Sequence, residues 1–376
     1  MSEESKKSDA GMSLEYGRVV KILAKRRDAV ELLVELSNPA APEKAIFYPQ
    51  LCPEPVAVGD SVLLNTTAVR LGLGTGGYHF VIKRIRKGSR KTEIDAAGGH
   101  IMKLRYTPMQ IRCLAAEEPQ SPHHEVLAEA QSIEGLPVVV AGLHSQIAPI
   151  AAAIKVETKG KAKIVYIMND TACLALGFSR LVAELKAKRL IDATITAGQA
   201  FGGDLEAVNI YSALLAAKKA AGADVAIIAQ GPGNVGTETL FGFGSIYQGE
   251  AINAVGILGG TPVAAVRLSF ADTRPRHRGI SEQFLVALGK VALHKSLVVL
   301  PKIEKEKLNL LHQQLEESGI CRQHEVIIEE GEAGLKELQR LGVKVVSMGR
   351  GVEEDREFFL AAAAAGLTAG KQVSGS

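Results

Sequence analysis

The sequence contains no tryptophan, and aromatic residues make up only 5% of it. That scarcity removes the interleaved aromatic side chains on which nucleic-acid bases stack. A net charge of +3 carries no excess of either sign, which argues against a dedicated nucleic-acid binder. The four cysteines, Cys52, Cys113, Cys173 and Cys321, are far apart. They form neither a CxxC motif nor a disulfide framework, and read as reduced, mostly buried thiols. No stretch approaches the roughly 18 apolar residues of a membrane span. The opening Met1-Ser-Glu-Glu-Ser-Lys-Lys-Ser-Asp has no apolar signal core. These absences point to a soluble, cytoplasmic protein without a membrane partner.

What is plentiful is glycine, with 38 residues, and alanine. Such a composition suits helices packed closely on a parallel sheet, with glycine at the turns. A chain of 376 residues is long enough for two domains, each with its own core. Residues 1–13 read as a polar disordered tail. Between 14 and 88, β-rich runs at 18–23, 29–36, 44–48, 61–65 and 78–85 alternate with Pro, Gly or Asp turns. That spacing predicts a small barrel of the OB or SH3-like kind. Such a barrel serves as a docking module for a protein or, less often, for nucleic acid. Residues 89–135 read as a connector, preceded by the basic run Lys83-Arg-Ile-Arg-Lys-Gly-Ser-Arg-Lys91. The connector contains Gly98-Gly-His100-Ile-Met-Lys103, which could lend His100 or Lys103 to a site or simply order the crossing.

From 136 to 376 the pattern becomes alternating strands and helices. Strands are expected at 137–141, 163–168, 193–196, 225–229, 263–268, 297–300, 325–328 and 343–346. Helices are expected at 145–154, 174–188, 205–220, 281–292, 304–318, 333–341 and 354–366, with a small-residue helix carrying Glu250 and Asn253. The fold class is therefore α/β with an N-terminal all-β domain: a small β-barrel, then a mostly parallel three-layer α/β sheet domain.

Ligands of open α/β sheets bind beyond the carboxyl ends of the strands. Five successive expected strands end in polar or glycine-rich tips: Gly142-Leu-His144-Ser145, Asn169-Asp170-Thr171, Gly198 to Asp204, Gln230-Gly231-Pro-Gly233-Asn-Val-Gly236-Thr237, and Ser269-Phe-Ala-Asp272-Thr-Arg274. The later strands lack this density, so a site is expected over the first five. Gly231 to Thr237 reads either as an anion cradle, with backbone N–H groups and a hydroxyl at a helix start, or as a plain tight turn. It matches neither a Walker A loop nor the dinucleotide fingerprint. Gly202, Gly203 and Asp204 open the next helix, with Asp204 as a candidate N-cap. Arg267, Arg274, Arg276 and Arg278 cluster with His277. That density suits a phosphorylated or carboxylated ligand, or a structural network with carboxylates.

The candidate catalytic residues are His144 and His277 for proton transfer, with Asp272 and Glu250 as orienters. Candidate ligand contacts are Asp170, Gly202, Gly203, Asp204, Gly231, Gly233, Gly236, Thr237, Asn253, Arg267, Ser269, Arg274 and Arg276. His144, Asp170, Asp204, Glu250 and Asp272 could together hold a divalent ion such as Mg²⁺, although no short ligand motif is present. Nor does a nucleophile motif such as Gly-x-Ser-x-Gly occur.

Four segments carry a resemblance: Gly99-His-Ile-Met-Lys-Leu-Arg-Tyr-Thr-Pro, Gly142-Leu-His-Ser-Gln, Phe201-Gly-Gly-Asp-Leu-Glu-Ala-Val-Asn and Ser269-Phe-Ala-Asp-Thr-Arg-Pro-Arg-His. They resemble the family called domain of unknown function 3866, over nearly the whole chain after the tail. The resemblance implies a bacterial, mostly Gram-positive, cytoplasmic protein and brings no activity or cofactor. The residues themselves support a small anionic ligand at the strand tips, either in an enzyme with acid–base chemistry or in a non-catalytic sensing module. A homo-oligomer is expected, with the Arg/Asp/His cluster as a possible buried ion-pair network at its interface.

Overall fold

The computed structural model describes residues 12–36, 41–52, 54–72, 76–86 and 98–374. The expected tail, apart from Met12 and Ser13, and the basic run beyond Arg86 lie outside them. By internal contacts the chain divides into two compact units, residues 1–97 with 106–111, and residues 98–105 with 112–376.

The first unit is a closed barrel of five strands, β1 (Leu14–Lys25), β2 (Val30–Leu36), β3 (Glu43–Phe47), β4 (Ser61–Asn65) and β5 (His79–Ile85). Their order around the barrel is β1-β2-β3-β5-β4, with β3 parallel to β5 and the other pairs antiparallel. Of the two barrel types expected, this is the OB order. β1 closes the barrel because it pairs with both β2 and β4, and register shifts at Val19/Lys21 and Ile22/Ala24 bend it to do so. At the overlap stands Gly17, where a Cβ would come within 2.9 Å of the Leu64 side chain. Inward alternation along β2 and β4 puts Leu32, Val34, Leu36, Val62 and Leu64 in the barrel core.

The second unit is an eight-stranded parallel sheet. Its strands are β6 (Pro137–Ala141), β7 (Ile164–Asn169), β8 (Ala193–Ala197), β9 (Leu205–Ala207), β10 (Val225–Gln230), β11 (Thr261–Ala265), β12 (Leu297–Pro301) and β13 (Glu325–Glu329). They lie in the order β9-β8-β7-β10-β6-β11-β12-β13. Both faces are covered, so the strands read as continuous apolar runs. Val138 and Val140 of β6 enter one core, and Val139 and Ala141 enter the other. Each fully buried Val, Ile or Leu contributes roughly 1.5–3 kcal/mol. On one face pack α3 (Ile210–Leu215), α4 (Tyr247–Ile257), α5 (Glu282–Val286) and α6 (Lys305–Glu317). On the other pack α1 (Ile147–Glu157), α2 (Arg180–Ala187), α7 (Glu332–Leu341) and α8 (Arg356–Ser374). The alanine run of α8 lets helices approach closely: a Cβ at Gly366 would meet the Ile150 carbonyl oxygen of α1 at 2.3 Å.

From central β6 the chain moves to one side for β7, β8 and β9. It returns to β10 beside β6, then leaves on the other side for β11, β12 and β13. The direction of winding therefore reverses around β10, β6 and β11, the position at which open α/β sheets form a crevice.

Three sequence expectations are corrected. The helix expected over 205–220 begins later: Leu205–Ala207 is a strand, and Asn209 caps α3 by accepting from the Tyr211 and Ser212 amides. The strand expected at 343–346 is absent; Val343 and Val345 are buried in the core, but the segment pairs with no strand of the sheet. No helix starts at Gly231 to Thr237 either. Thr237 N donates to the Gly242 carbonyl and Gly244 N to that of Val235, closing a hairpin-like loop, and helical structure begins only at Gly244. Among the described residues, no helix is long and apolar enough to cross a membrane.

Candidate functional site

The tips of β6, β10 and β11 are stapled by polar side chains from the helices beneath them. Gln248 Nε2 of α4 donates to the carbonyls of Val140 and Ala265, 2.8 and 3.1 Å away. Tyr247 donates its hydroxyl to the Ala141 carbonyl and accepts from Gln230 N. Gln146 accepts from Leu143 N and donates to the Val266 carbonyl. Buried polar groups in a close-packed helix require partners, and here the partners are strand-end carbonyls, so the rim is rigid.

The glycines of the β10 loop have separate reasons. At Gly231 a Cβ would come within 2.4 Å of the Cys173 Cβ, so packing alone demands glycine. Gly233 has φ +94°, a conformation that side chains resist, and nothing lies within 4 Å of the Cβ position.

Beyond β11 the chain turns through a short hairpin, Leu268–Ser269 with Gly279–Ile280, which carries the arginine cluster. Asp272 accepts from Arg274 Nε and Nη2 at 2.9 and 2.7 Å and from Arg350 Nη2 at 3.2 Å. Arg350 also meets Asp355, which receives the Ser269 hydroxyl at 2.8 Å. The Arg274 guanidinium holds the Asp272 carboxyl well below the usual carboxylate range. Ser269 and Asp272 therefore belong to a buried ion-pair network that fixes Arg274 from behind. Arg276 pairs with Glu238 at the surface.

Arg267 is different. It is only 8% exposed, and among the described residues no carboxylate lies within ion-pair distance of it. Its partner is the neutral Gln283 Oε1, which also accepts from Asn234 Nδ2. Burial, reinforced by Arg274 and only partly offset by the Asp272 carboxylate beyond ion-pair distance, pushes the Arg267 guanidinium down to about 10.

A cavity of about 500 Å³ opens over these tips. Of the sequence candidates, it brings together His144, Gly231, Gly233, Gly236, Arg267, Arg274, Arg276 and His277. None of the described residues lining it is Asp or Glu. Asp170, Gly202, Gly203, Asp204, Thr237, Glu250, Asn253, Ser269 and Asp272 are outside its lining. Thr237 turns its hydroxyl to Thr239 and the Gly242 carbonyl, and Asn253 ties the turn at 291–294. Glu250 is exposed on α4. Sequence reasoning missed Gln283, Lys344 and the segment through Met348, all in the lining. Lys344 to Met348 follow α7, and their alternating valines carried a strand signal that hid them.

His144 sits on the cavity wall with both ring nitrogens engaged. Nδ1 donates to the Gln230 carbonyl at 3.1 Å, and Nε2 accepts from Ser179 at 2.7 Å. Ser179 is itself the N-cap of α2. Burial pushes the His144 imidazole down to about 4. His277 has Nδ1 2.8 Å from the Ser281 hydroxyl, and burial plus neighbouring Arg267 and Arg274 push it down to about 4 as well. Both rings are neutral near pH 7, and only His277 has a nitrogen left to act on a ligand among the hydrogen bonds of the described residues.

The tips of β8 and β9 form a second charged cluster. Lys103, fully buried, donates to the Thr196 and Ala200 carbonyls and to Glu206 at 2.6 Å. Glu206 also accepts from Thr196 Oγ1 and Gly202 N. Asp204 accepts from Thr194 and Lys186, so it caps a strand start rather than a helix. Burial opposes its ionisation, but those hydrogen bonds hold its carboxyl below the ordinary range. Asp170 Oδ2 accepts from Gln199 N, and His100 meets Glu118. Neither His100 nor Lys103 reaches the cavity. Of the five residues considered for a divalent ion, His144, Asp170, Asp204 and Asp272 are held in separate pairings and Glu250 is exposed on α4; no cluster of three metal-ligating side chains occurs among the described residues.

Fold and site together define an α/β protein with an OB-order barrel and a cation-lined crevice where the sheet reverses its winding. The family model described as protein of unknown function (DUF3866) matches residues 44–366. The chain belongs to that family. No curated protein and no solved structure matches it.

Proposed function

We propose that the cavity over β6, β10 and β11 binds a small phosphorylated or carboxylated ligand. The observation that carries this reading is Arg267: a buried guanidinium facing the cavity, with a neutral partner and no carboxylate in ion-pair range among the described residues. Burying a cation without a counter-ion is costly, and an anionic ligand would supply that counter-ion. Arg274, held by Asp272, and Lys344 add donors on the same wall, and arginine forks match phosphate and carboxylate geometry. His277 is the group able to exchange a proton with such a ligand, while His144, engaged at both nitrogens, positions the rim.

A second reading is a sensing module without chemistry, whose barrel docks a protein or nucleic-acid partner. It is favoured by the absence of any carboxylate among the described cavity residues, which leaves His277 without an acid–base partner there. The test is thermal unfolding of the full chain with millimolar orthophosphate, pyrophosphate or citrate. Binding raises the melting temperature by linkage. The rise is expected for the native protein and is lost in Arg267→Met. If none of these anions shifts the native protein, the anion reading fails. Turnover of a bound ligand that disappears in His277→Asn would select the enzyme reading over the sensor.

A further inference from the structure

A second cavity, of about 360 Å³, adjoins the first and shares Gly236, Arg276 and Gln283 with it. The two differ in chemistry. Around the first, the charged side chains of the described residues are all cations. Around the second stand two carboxylates, Glu238 and Glu282, with the apolar side chains of Leu240, Phe243, Leu285 and Val286. Arg276 stands at the boundary, paired to Glu238. Gly236 lines both cavities, and a Cβ there would come within 3.2 Å of Gln283 Nε2.

Cations recognise phosphate, whereas carboxylates accept hydrogen bonds from hydroxyl and amino groups, and apolar walls take the faces of flat rings. We propose that the two cavities are the halves of one nucleotide site. The phosphates of a nucleoside diphosphate or triphosphate lie over Arg267, Arg274 and Lys344, and the nucleoside passes Gly236 into the second cavity. There its hydroxyl and amino donors meet Glu238 and Glu282, and its base packs on Phe243 and Leu240. This inference rests on the anion-binding reading and names the body attached to the anion. A simple sugar phosphate or dicarboxylate would occupy the first cavity alone. A phosphorylated alkyl chain would leave both carboxylates facing carbon.

The experiment is calorimetric titration of the full chain with pyrophosphate, adenosine and the diphosphates of adenosine, guanosine and uridine. At least one nucleoside diphosphate is expected to bind about tenfold or more tightly than pyrophosphate. Leu240→Ser and Glu282→Ala lie at exposed positions and are expected to reduce that advantage to within about threefold, with pyrophosphate affinity unchanged. Pyrophosphate binding with no nucleotide advantage overturns the nucleotide site and leaves the anion site standing. A nucleotide advantage that survives both substitutions also overturns it, because the nucleoside then lies elsewhere. Adenosine binding as tightly as its diphosphate removes the role assigned to the cations. Binding by none of the probes overturns both readings.

Discussion

Two charged clusters stand on the same edge of the sheet and are built in opposite ways. At the tips of β8 and β9, Lys103 has a carboxylate and two carbonyls, and Glu206 has an ammonium, a hydroxyl and an amide. That cluster is closed: each charge finds its counter-ion within the chain. At the tips of β6, β10 and β11, Arg267 is also buried, though less completely than Lys103, but its hydrogen-bond partner is the amide oxygen of Gln283. The density of polar residues is similar in the two places. What separates them is whether the fold itself provides the opposite charge.

The largest expected effect sharpens this contrast in the closed cluster. Lys103→Met leaves the part-buried Glu206 carboxylate without its cation and should destabilise the α/β unit by about 3–5 kcal/mol. Urea unfolding followed on that unit's own transition checks this, and a loss below about 1 kcal/mol would show the pair to be superficial.

The next effect is acid sensitivity at the open cluster's rim. His144 is held at about 4 in the folded state against an ordinary 6.5, so as pH falls the unfolded chain takes up a proton first. The stability contributed by the neutral ring is full above pH 6.5 and is lost between pH 6.5 and 4, by up to about 3 kcal/mol. Asp272, held low by Arg274, has a proton linkage of the same sign, displaced to lower pH. Its contribution is full above the ordinary carboxylate pKa and is lost only in more acidic solution. The urea midpoint should therefore be lower at pH 5 than at pH 7; His144→Gln should shrink that difference, and the remainder belongs to His277, which is held low in the same range.

A smaller stability effect, but a large binding one, is expected at Arg267. Arg267→Met should change stability by less than about 1 kcal/mol or raise it, because it removes a buried charge that lacks a carboxylate. The same substitution should weaken pyrophosphate binding about tenfold or more. Unfolding of Arg267→Met as severe as that of Lys103→Met would break the comparison and make Arg267 structural.

The smallest effect concerns Glu238, which has φ +62° and neutralises Arg276 at the surface. Glu238→Gly relieves the left-handed backbone and frees the arginine. Stability should change by no more than about 1 kcal/mol, while pyrophosphate affinity rises a few-fold in calorimetry.

Much of the fold was legible before the structure. The five barrel runs and the apolar stretches at 137–141, 225–229 and 297–300 appear as strands, because each combines β-branched residues with turn residues at its ends. Three segments misled. Residues 205–207 lie in a strand because Asp204 and Glu206 pair with the neighbouring threonines and with Lys103, and that tertiary pairing overrides a local helix signal. The capping box of Asn209 and Ser212 was the clue to the later helix start. Val343 and Val345 alternate like a strand, yet they are core contacts of an irregular segment that delivers Lys344 and Ser347 to the cavity. The loop at 231–237 folds into a hairpin-like turn because the Gly242 carbonyl captures the Thr237 amide and the Val235 carbonyl captures the Gly244 amide.

By itself, the sequence determined the barrel, the layered parallel sheet and the edge at which polar residues collect. Those features depend on alternation, apolar runs and turn chemistry, all of which act between near neighbours. Only the tertiary structure decided which polar groups are spent on one another and which remain available. Asp272 finds Arg350, Ser269 finds Asp355, and Lys103 finds Glu206, across gaps of 78, 86 and 103 residues. Arg267 finds no such partner among the described residues. Charge pairing depends on distance in space, and separation along a chain carries almost no information about it.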